Sequence, residues 1–506
     1  MSAHGSTMRG LSFASRSPMF EGRFGQMFPW LHPALYGRTD EESFQCLDGL
    51  GEAMKGPDDA PKDGADEEES GIPALYTYLG QFIDHDLTFG PEGAFQKQKD
   101  VEALVDFRTP AFDLDCVYGR GPGDQPYLYD GARFLLGDKL HGAGDKDAAD
   151  LPRNVSSRED FPRRALIGDP RNDENSIVSQ LQGLFLRFHN RLIDEGRTFE
   201  QAQLELQRHY QYVILNDFLP AIVNRHVLNC LKTNNQFDRN KIRFYRPRKM
   251  TFMPVEFATA AYRFGHSMVR PGYRLNDYKE NLLPIFANRP DPDLTGKYAM
   301  PENRAIDWGR FVDTEPRAYD GADGSEERHR RLQFAYKIDT SIVEPLSRLP
   351  REVAAEPPPS LAKRNLRRSF EFGLPSGQDV ARAMGERVLE DHEILIGQAL
   401  KKPVPKTMVE IGDRLKTHAF RGNCPLWVYI LAEAMHHQAK VPVAGSEGGF
   451  VATPQLGPVG GRIVAEVFLG LMFADKTSLL STNPNWTPES GADYRLRDFV
   501  LYSVGK

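Results

Sequence analysis

The chain has 506 residues, of which 40% are hydrophobic and 26% are charged, with a formal net charge of −7 at pH 7. This length allows a large core, and the acidic balance gives no polyanion-binding signal, so no nucleic-acid partner is expected. The longest apolar run, 463–473, contains Glu466 and is too short for a membrane span. The four cysteines lack framework or CxxC spacing, which argues against a disulfide scaffold and a structural zinc site. The first residues show no charged-then-apolar leader, so a cytoplasmic location is the default expectation, with leaderless secretion left open.

Residues 1–70 are expected to form an N-terminal arm and an acidic loop packed on the main body, and residues 71–506 one large domain. Asp, Pro and Gly are frequent over 291–325, which predicts a long surface excursion. Few segments alternate as strands do, so we expect a mainly α-helical domain with few short strands and long surface loops. Apolar residues at helical spacing predict helices over 176–193, 199–227, 255–269, 378–400 and 461–480.

The segment 78–89 places a glutamine, an imidazole and two carboxylates within six residues of an apolar stretch. On a helix, Gln81 and His85 share one face with Asp84 beside them, while Asp86 lies about 100° further round. One face could therefore hold a reactive ligand and the other a cation. An isolated His–Asp pair is more often a capped or solvated helix end, so this interpretation needs support from elsewhere in the chain.

A second segment, 109–115, presents oxygen ligands at every second position. The side chains of Thr109, Asp113 and Asp115 and the carbonyl of Ala111 could surround a hard cation, with Asp86 completing the set. Oxygen-only ligands with several carboxylates suit calcium. Taken alone, Asp-Leu-Asp is more often a solvated turn.

Arg171 and Glu174 are three residues apart in the segment 168–174 and can point into one pocket. On spacing alone a capped helix start is favoured, with Asn172 or Asp173 as the N-cap.

His266 lies among apolar and small residues, where an imidazole is either a hydrogen-bonded core residue, the commoner case, or a ligand to a buried metal or haem. Asn365 could accept a hydrogen bond from its other ring nitrogen.

In order along the chain, these motifs resemble those of the animal-type haem peroxidases of the peroxidase–cyclooxygenase superfamily, over about residues 70–480. The motifs are Gln-Phe-Ile-Asp-His-Asp, Thr-x-x-x-Asp-x-Asp-x-x-Tyr-Gly, Gly-Asp-x-Arg-x-x-Glu, Glu-Phe-x-x-Ala-Ala-x-Arg-x-Gly-His and Asn-Leu-x-Arg-Ser. The resemblance implies a haem b peroxidase in which hydrogen peroxide yields a ferryl intermediate. That intermediate would oxidise halide, thiocyanate or small phenolic donors.

The resemblance also implies roles on the peroxide side of the haem. His85 corresponds to the distal histidine, Arg171 to the distal arginine and Gln81 to the distal glutamine.

On the other side of the haem, His266 corresponds to the proximal iron ligand, Asn365 to its hydrogen-bond partner and Arg368 to a propionate partner. Asp84 and Glu174 match the carboxylates that form ester bonds to the haem in mammalian members.

The calcium set also matches, namely Asp86, Thr109, Ala111, Asp113 and Asp115. Asp115 stands where the mammalian members have serine, and the extra carboxylate should strengthen cation binding.

Two departures bear on activity. Asn175 stands where myeloperoxidase has a vinyl-linked methionine, which puts chloride oxidation in doubt, and Arg263 stands where oxygenases of the superfamily have a radical-forming tyrosine. The neighbouring Tyr262 is about 100° round a helix from that position. A fatty-acid dioxygenase and a calcium-stabilised adhesion protein with a vestigial haem pocket remain the alternatives. The sequence predicts no oligomeric state.

Overall fold

Helices form most of the regular structure of the computed structural model. It describes residues 22–61, 64–89, 105–106, 108–155, 163–247, 251–287, 291–317, 331–351, 353–354, 356–399, 408–415 and 417–506. Across these ranges the helices are α1 Asp40–Ala53, α2 Leu75–Leu87, α3 Asp115–Tyr118, α4 Ser176–Asp194, α5 Phe199–Val213, α6 Leu219–Ile222, α7 Arg225–Cys230, α8 Val255–Thr259, α9 Leu361–Glu371, α10 Gly377–Met384, α11 Ile411–Leu415, α12 Leu426–His436, α13 Pro458–Ala474, α14 Leu479–Thr482 and α15 Leu496–Val504. The predicted mainly α-helical class is confirmed.

The strands are short and pair mostly as isolated two-stranded ribbons. They are β1 Gly22–Gly25, β2 Glu69–Pro73, β3 Val105–Asp106, β4 Tyr129–Asp130, β5 Arg133–Phe134, β6 Lys232–Thr233, β7 Gln236–Phe237, β8 Met253–Pro254, β9 Gly272–Arg274, β10 Leu282–Pro284, β11 Phe334–Tyr336, β12 Leu395–Gly397, β13 Met408–Glu410, β14 Gln438–Pro442 and β15 Phe450–Pro454. Antiparallel pairs are β2·β11, β4·β5, β6·β7, β9·β10, β12·β13 and β14·β15, and β1 lies between β3 and β8.

The centre of the molecule is formed by helices that are apolar on all sides. In α12 and α13 nearly every residue is buried, as expected for helices without a polar face. The two glutamates inside them, Glu433 and Glu466, accept backbone hydrogen bonds from neighbouring segments. Buried carboxylates are tolerated here because each is hydrogen-bonded.

The segment that precedes α1 is fastened to the element that leads into the site. Strand β1 pairs in parallel with β8, and the Glu256 carboxylate accepts the backbone N–H groups of Met27 and Phe28, each at 3.0 Å. The acidic run ends in β2, where the buried Glu69 pairs with two buried arginines, Arg270 and Arg331. The division at residue 70 stays a prediction, and residues 1–21 of the predicted arm lie outside the described residues.

The sequence patterns of four segments differ in part from the structure. The helix predicted over 378–400 ends at Met384 as α10, and residues 395–397 form strand β12. The period over 199–227 is interrupted by a π-helical turn, Ile214–Phe218, and by a break at Val223 before α7. Residues 255–269 form α8 followed by a 3-10 turn rather than one helix. The surface excursion predicted over 291–325 is wrong for 293–296 and 304–312, which are mostly buried, with Leu294 and Phe311 fully so. Residues 297–303 are partly or fully exposed, and residues 318–325 lie outside the described part of the chain. No helix among the described residues is long and apolar enough to cross a membrane.

Candidate active site

Helix α2 carries four of the candidate residues on two of its sides. Almost the whole helix is buried, but Gly80 and Gln81 are partly exposed, so the side that bears them borders open space. His85 follows Gln81 by about one turn and lies on the same side, whereas Asp86 is fully buried on another. The Gln81 amide has no hydrogen-bond partner in the part of the chain that the structure describes, which leaves it available to a ligand.

His85 is held at one ring nitrogen and open at the other. Its Nδ1 lies 2.7 Å from Oδ1 of Asn172, whose Nδ2 donates to Oε1 of Gln182 at 2.8 Å. Nε2 of His85 has no partner among the described residues. Burial, followed by the charge of Arg171, lowers the pKa of His85, so the ring is neutral at pH 7 and Nε2 can accept a proton.

Arg171 lies at the C-terminal end of α2, beside His85. It belongs to a 3-10 turn, Pro170–Asp173, which Asp169 caps by accepting the Arg171 N–H at 2.9 Å. The guanidinium Nη2 donates to the carbonyls of His85 and Thr88 at 3.0 and 2.6 Å and to Asp169 at 2.8 Å. A cation at a helix C-terminus is favoured by the helix dipole, so the charge is firmly held there.

Asp169 connects this arginine to a second one. The carboxylate is fully buried and also binds Arg108, with Nη2 2.5 Å from Oδ2. Burial alone would raise the pKa of Asp169, but the charges of Arg171 and Arg108 outweigh it and hold that pKa well below its ordinary value. Arg108 lies 3.6 Å from Asp115 as well, so paired charges run from the 109–115 loop to the Arg171 guanidinium.

His266 ends the 3-10 turn Ala261–His266 and is partly exposed. Nδ2 of Asn365, on α9, lies 2.7 Å from its Nδ1, and Nε2 has no partner among the described residues. Burial, with the charge of Arg263 second, lowers the pKa of His266 to about 3, so the ring is a neutral potential ligand. Arg368 lies on α9 about one turn after Asn365 and also acts electrostatically on His266.

The two carboxylates predicted to reach a haem edge are each paired with a cation. Asp84 accepts from Nη1 of Arg263 at 3.3 Å, which connects α2 with the turn that carries His266. Glu174 lies 3.4 Å from Nζ of Lys297.

The predicted cation ligands come together behind His85. Ligand oxygens of Asp86, Asp113 and Asp115 lie within 4.8 Å of one another, and Thr109 Oγ1 donates to Asp113 at 2.8 Å. Ala111 lies in the same loop, where its N–H donates to the Thr109 carbonyl at 2.8 Å.

Three carboxylate oxygens in this cluster lack the hydrogen bonds that burial normally requires. Both oxygens of Asp86 and Oδ1 of Asp115 are buried and have no hydrogen bond to any described residue. Burial, followed by the charges of Asp113 and Asp115, raises the pKa of Asp86 well above its ordinary value. Like charges gathered in a buried site call for a cation, and an oxygen-only donor set of this kind fits calcium.

Sequence reasoning missed several residues of this site. Asn172 was considered only as an N-cap, a role that Asn175 takes for α4. Gln182 and Arg108 gave no signal, because each stands in an ordinary helical or loop pattern. Asp169 was inside a recognised motif, and its position two residues before Arg171 was the available signal.

Sequence comparison finds similarity to known peroxidases. The family model described as animal haem peroxidase matches residues 95–303. Peroxidasin of Drosophila melanogaster is 24% identical over 384 residues, which cover 73% of this chain and 22% of that protein. The chain therefore spans about a fifth of that relative's length.

Two solved structures share the fold. Peroxidase A of Dictyostelium discoideum superposes with a TM-score of 0.60 at 15% identity, covering 96% of this chain and 93% of the other. A fatty acid alpha-dioxygenase of Oryza sativa superposes with a TM-score of 0.51 at 14% identity, covering 100% of this chain and 84% of the other. At such identities the likeness concerns the fold alone.

Proposed function

The chain belongs to the animal-type haem peroxidase superfamily, and we propose that it is a haem-dependent peroxidase that uses hydrogen peroxide to oxidise halide, thiocyanate or small phenolic donors. One observation carries the proposal: His85 and His266 each have Nδ1 engaged by an asparagine and Nε2 without a partner among the described residues. Peroxidase chemistry needs two such histidines, one as a base and one as an axial ligand.

Haem would be held at His266 and would supply the oxidation chemistry when bound. Ligation through Nε2 requires the ring proton on Nδ1. A half-turn of the Asn365 amide then presents Oδ1 to accept from Nδ1–H, which makes the imidazole a stronger donor to a metal. Arg368 would pair with a propionate, since a guanidinium suits a carboxylate.

His85 would act as general acid and base on the peroxide. Because its ring is neutral and Nε2 has no partner among the described residues, it can take the proton from one peroxide oxygen and return it to the other as that oxygen departs.

Arg171 and Gln81 would assist His85 without exchanging protons. The positive charge of Arg171, fixed at the end of α2, would stabilise negative charge that develops on the peroxide oxygens. The amide of Gln81, which has no partner among the described residues, would hold water or a halide beside His85.

The ion pairs of Asp84 and Glu174 bear on covalent attachment. Each carboxylate would have to leave its cation, Arg263 or Lys297, before it could form an ester with the haem. Mass spectrometry of the haem released on denaturation would count the links formed.

The dioxygenase alternative is not favoured by the residues before His266. Arg263 holds the position of the oxygenase tyrosine and is paired with Asp84. Tyr262 is buried and stacks on Phe257, with ring centroids 4.8 Å apart. Oxygen consumption with an unsaturated fatty acid would test that alternative directly.

The test is to purify the protein with haem supplied and record its Soret band and its guaiacol and iodide oxidation. His266→Ala is expected to lose the Soret band, because the axial ligand is gone. His85→Ala should keep the band and lose about 100-fold or more in peroxide turnover, as expected when general acid–base catalysis is removed. His436→Ala, at an exposed histidine of α12, is the matched control and should change neither. A wild-type protein that binds no haem would contradict the proposal.

A further inference from the structure

Two buried side-chain amides hold the imidazole of His85 from its Nδ1 side. Asn172 and Gln182 are both fully buried. Oδ1 of Asn172 lies 2.7 Å from Nδ1 of His85, and Nδ2 of Asn172 donates to Oε1 of Gln182 at 2.8 Å. Asn172 comes from the Pro170–Asp173 turn, Gln182 from α4 and His85 from α2, so three elements meet at this point.

The direction of these hydrogen bonds determines where the ring proton lies. Nδ2 of Asn172 donates to Gln182, so Oδ1 faces the His85 ring. In this amide orientation the Asn172 oxygen can only accept, so Nδ1 carries the proton. In a neutral ring Nε2 is then the unprotonated nitrogen. The opposite amide orientation would place the proton on Nε2 and leave no base there.

We propose that Asn172 and Gln182 are positioning residues that hold His85 in the Nδ1–H tautomer and so keep Nε2 ready to accept the peroxide proton. The catalytic part of this inference rests on the proposed peroxidase function. When Nε2 is protonated, Nδ1–H still donates to Asn172, so the same hydrogen bond serves both states of the ring. The proton taken from one peroxide oxygen returns to the other, and the ring ends unchanged.

Packing alone does not account for a glutamine at position 182. Its Nε2 is buried without a hydrogen-bond partner in the described structure, whereas its Oε1 is used by Asn172. A buried unpaired donor lowers stability, and an apolar residue of similar size would avoid that cost. What the glutamine adds is the acceptor that orients Asn172.

The test first measures the tautomer itself. Protein carrying nitrogen-15-labelled histidine is purified and its ring-nitrogen spectrum recorded, on the diamagnetic ferrous carbon monoxide form if haem is bound. His85→Gln identifies the His85 signals. Wild type is expected to show a protonated Nδ1 and an unprotonated Nε2. Asn172→Leu, which removes the acceptor, is expected to shift the ring toward Nε2–H, whereas Asn172→Asp keeps an acceptor and should retain Nδ1–H.

The second readout separates the peroxide step from donor oxidation. Asn172→Leu should lower kcat/KM for hydrogen peroxide by about 10- to 100-fold, because only part of the acid–base contribution depends on the tautomer. The kcat/KM for the reducing donor and the Soret band should stay unchanged, and Asn172→Asp should recover most of the peroxide rate.

Gln182→Leu tests the outer amide and gives the same comparison if Asn172→Leu does not fold. Its matched control is Gln180→Leu, on the same helix. The buried Gln180 amide donates to the carbonyl of Arg304 and accepts from the N–H of Ile306 instead. The control should leave the His85 tautomer and the peroxide rate as in wild type. If wild type shows Nε2–H, or if Gln182→Leu and Gln180→Leu behave alike, the inference is overturned. A wild type with Nδ1–H but no peroxidase activity would support the hydrogen-bond assignment and contradict only the proposed function.

Discussion

The buried carboxylate of Asp86 indicates a cation site because it lacks hydrogen-bond partners. Its carboxylate is fully buried, and neither oxygen has a hydrogen bond among the described residues. Leaving a buried carboxylate uncompensated costs several kcal/mol. Its neighbours Asp113 and Asp115 add negative charge rather than relieve it. We therefore expect the folded protein to bind calcium here, directly beside His85 in sequence.

Removing that cation should destabilise the protein. Prolonged chelation is expected to lower the free energy of unfolding by about 4 kcal/mol relative to protein in calcium at 1,000 times its Kd, measured by urea denaturation. Asp86→Asn should abolish the difference between chelated and calcium-supplied protein, while Asp124→Asn, at an exposed aspartate, should preserve it. If chelation leaves wild type unchanged and elemental analysis finds no metal, this assignment is wrong.

At the level of elements, hydrogen bonds to the Glu433 carboxylate connect α12 with the first turn of α13. Glu433 of α12 accepts the N–H groups of Val459 at 3.0 Å and Gly460 at 3.1 Å, in the first turn of α13. These amides would otherwise be unsatisfied, since α13 begins with no side-chain cap of its own. Burial raises the pKa of Glu433 to about 7 despite these bonds. Helix α12 also contacts the turn that carries His266, so this junction supports the site.

This carboxyl should make stability depend on pH in a defined direction. A raised folded-state pKa means that the folded chain retains a proton that the unfolded chain has released between pH 4.5 and 7. Unfolding therefore becomes easier as pH rises through this window, by about 3 kcal/mol at most. Glu433→Gln should lose that part of the slope, as measured by urea denaturation at pH 5, 6 and 7. An unchanged slope in the variant would show that the carboxyl does not titrate there.

Across the whole molecule, the N-terminal segment and the site are fastened through one buried glutamate. Glu256 of α8 lies ten residues before His266 and accepts hydrogen bonds from the N–H groups of Met27 and Phe28. Those two residues lie more than 220 positions earlier in the chain. The N-terminal segment is therefore attached to the helix that leads into the turn bearing His266. The entropic cost of closing so long a loop is offset by the burial of the aromatic side chains around this contact.

Breaking this attachment should release the segment before α1. Glu256→Ala leaves two buried N–H groups without an acceptor, and we expect a loss of about 2–5 kcal/mol in the free energy of unfolding. Limited proteolysis should cut before α1 sooner than in wild type. Glu256→Gln keeps one acceptor oxygen and should fall between the two. Equal cleavage in wild type and Glu256→Ala would contradict this account.

The sequence by itself determined the relations that depend on helical geometry and on short spacing. The α2 helix, the shared side of Gln81 and His85 and the separate side of Asp86 follow from residues a few positions apart. For 109–115 the local spacing alone favoured a solvated turn, and only the fold brings Asp113 and Asp115 to Asp86. The mainly α-helical class was likewise predictable, because helical periodicity recurs along the whole chain.

Only the tertiary structure decided which distant residues meet. The contact of His85 with Asn172 joins residues 87 positions apart, and the Asp84–Arg263 pair joins residues 179 apart. Such partners depend on how α2, α4 and the turn before His266 pack together. The local sequence pattern does not predict that packing, because an asparagine or arginine fits the same pattern whether its side chain faces solvent or a buried imidazole.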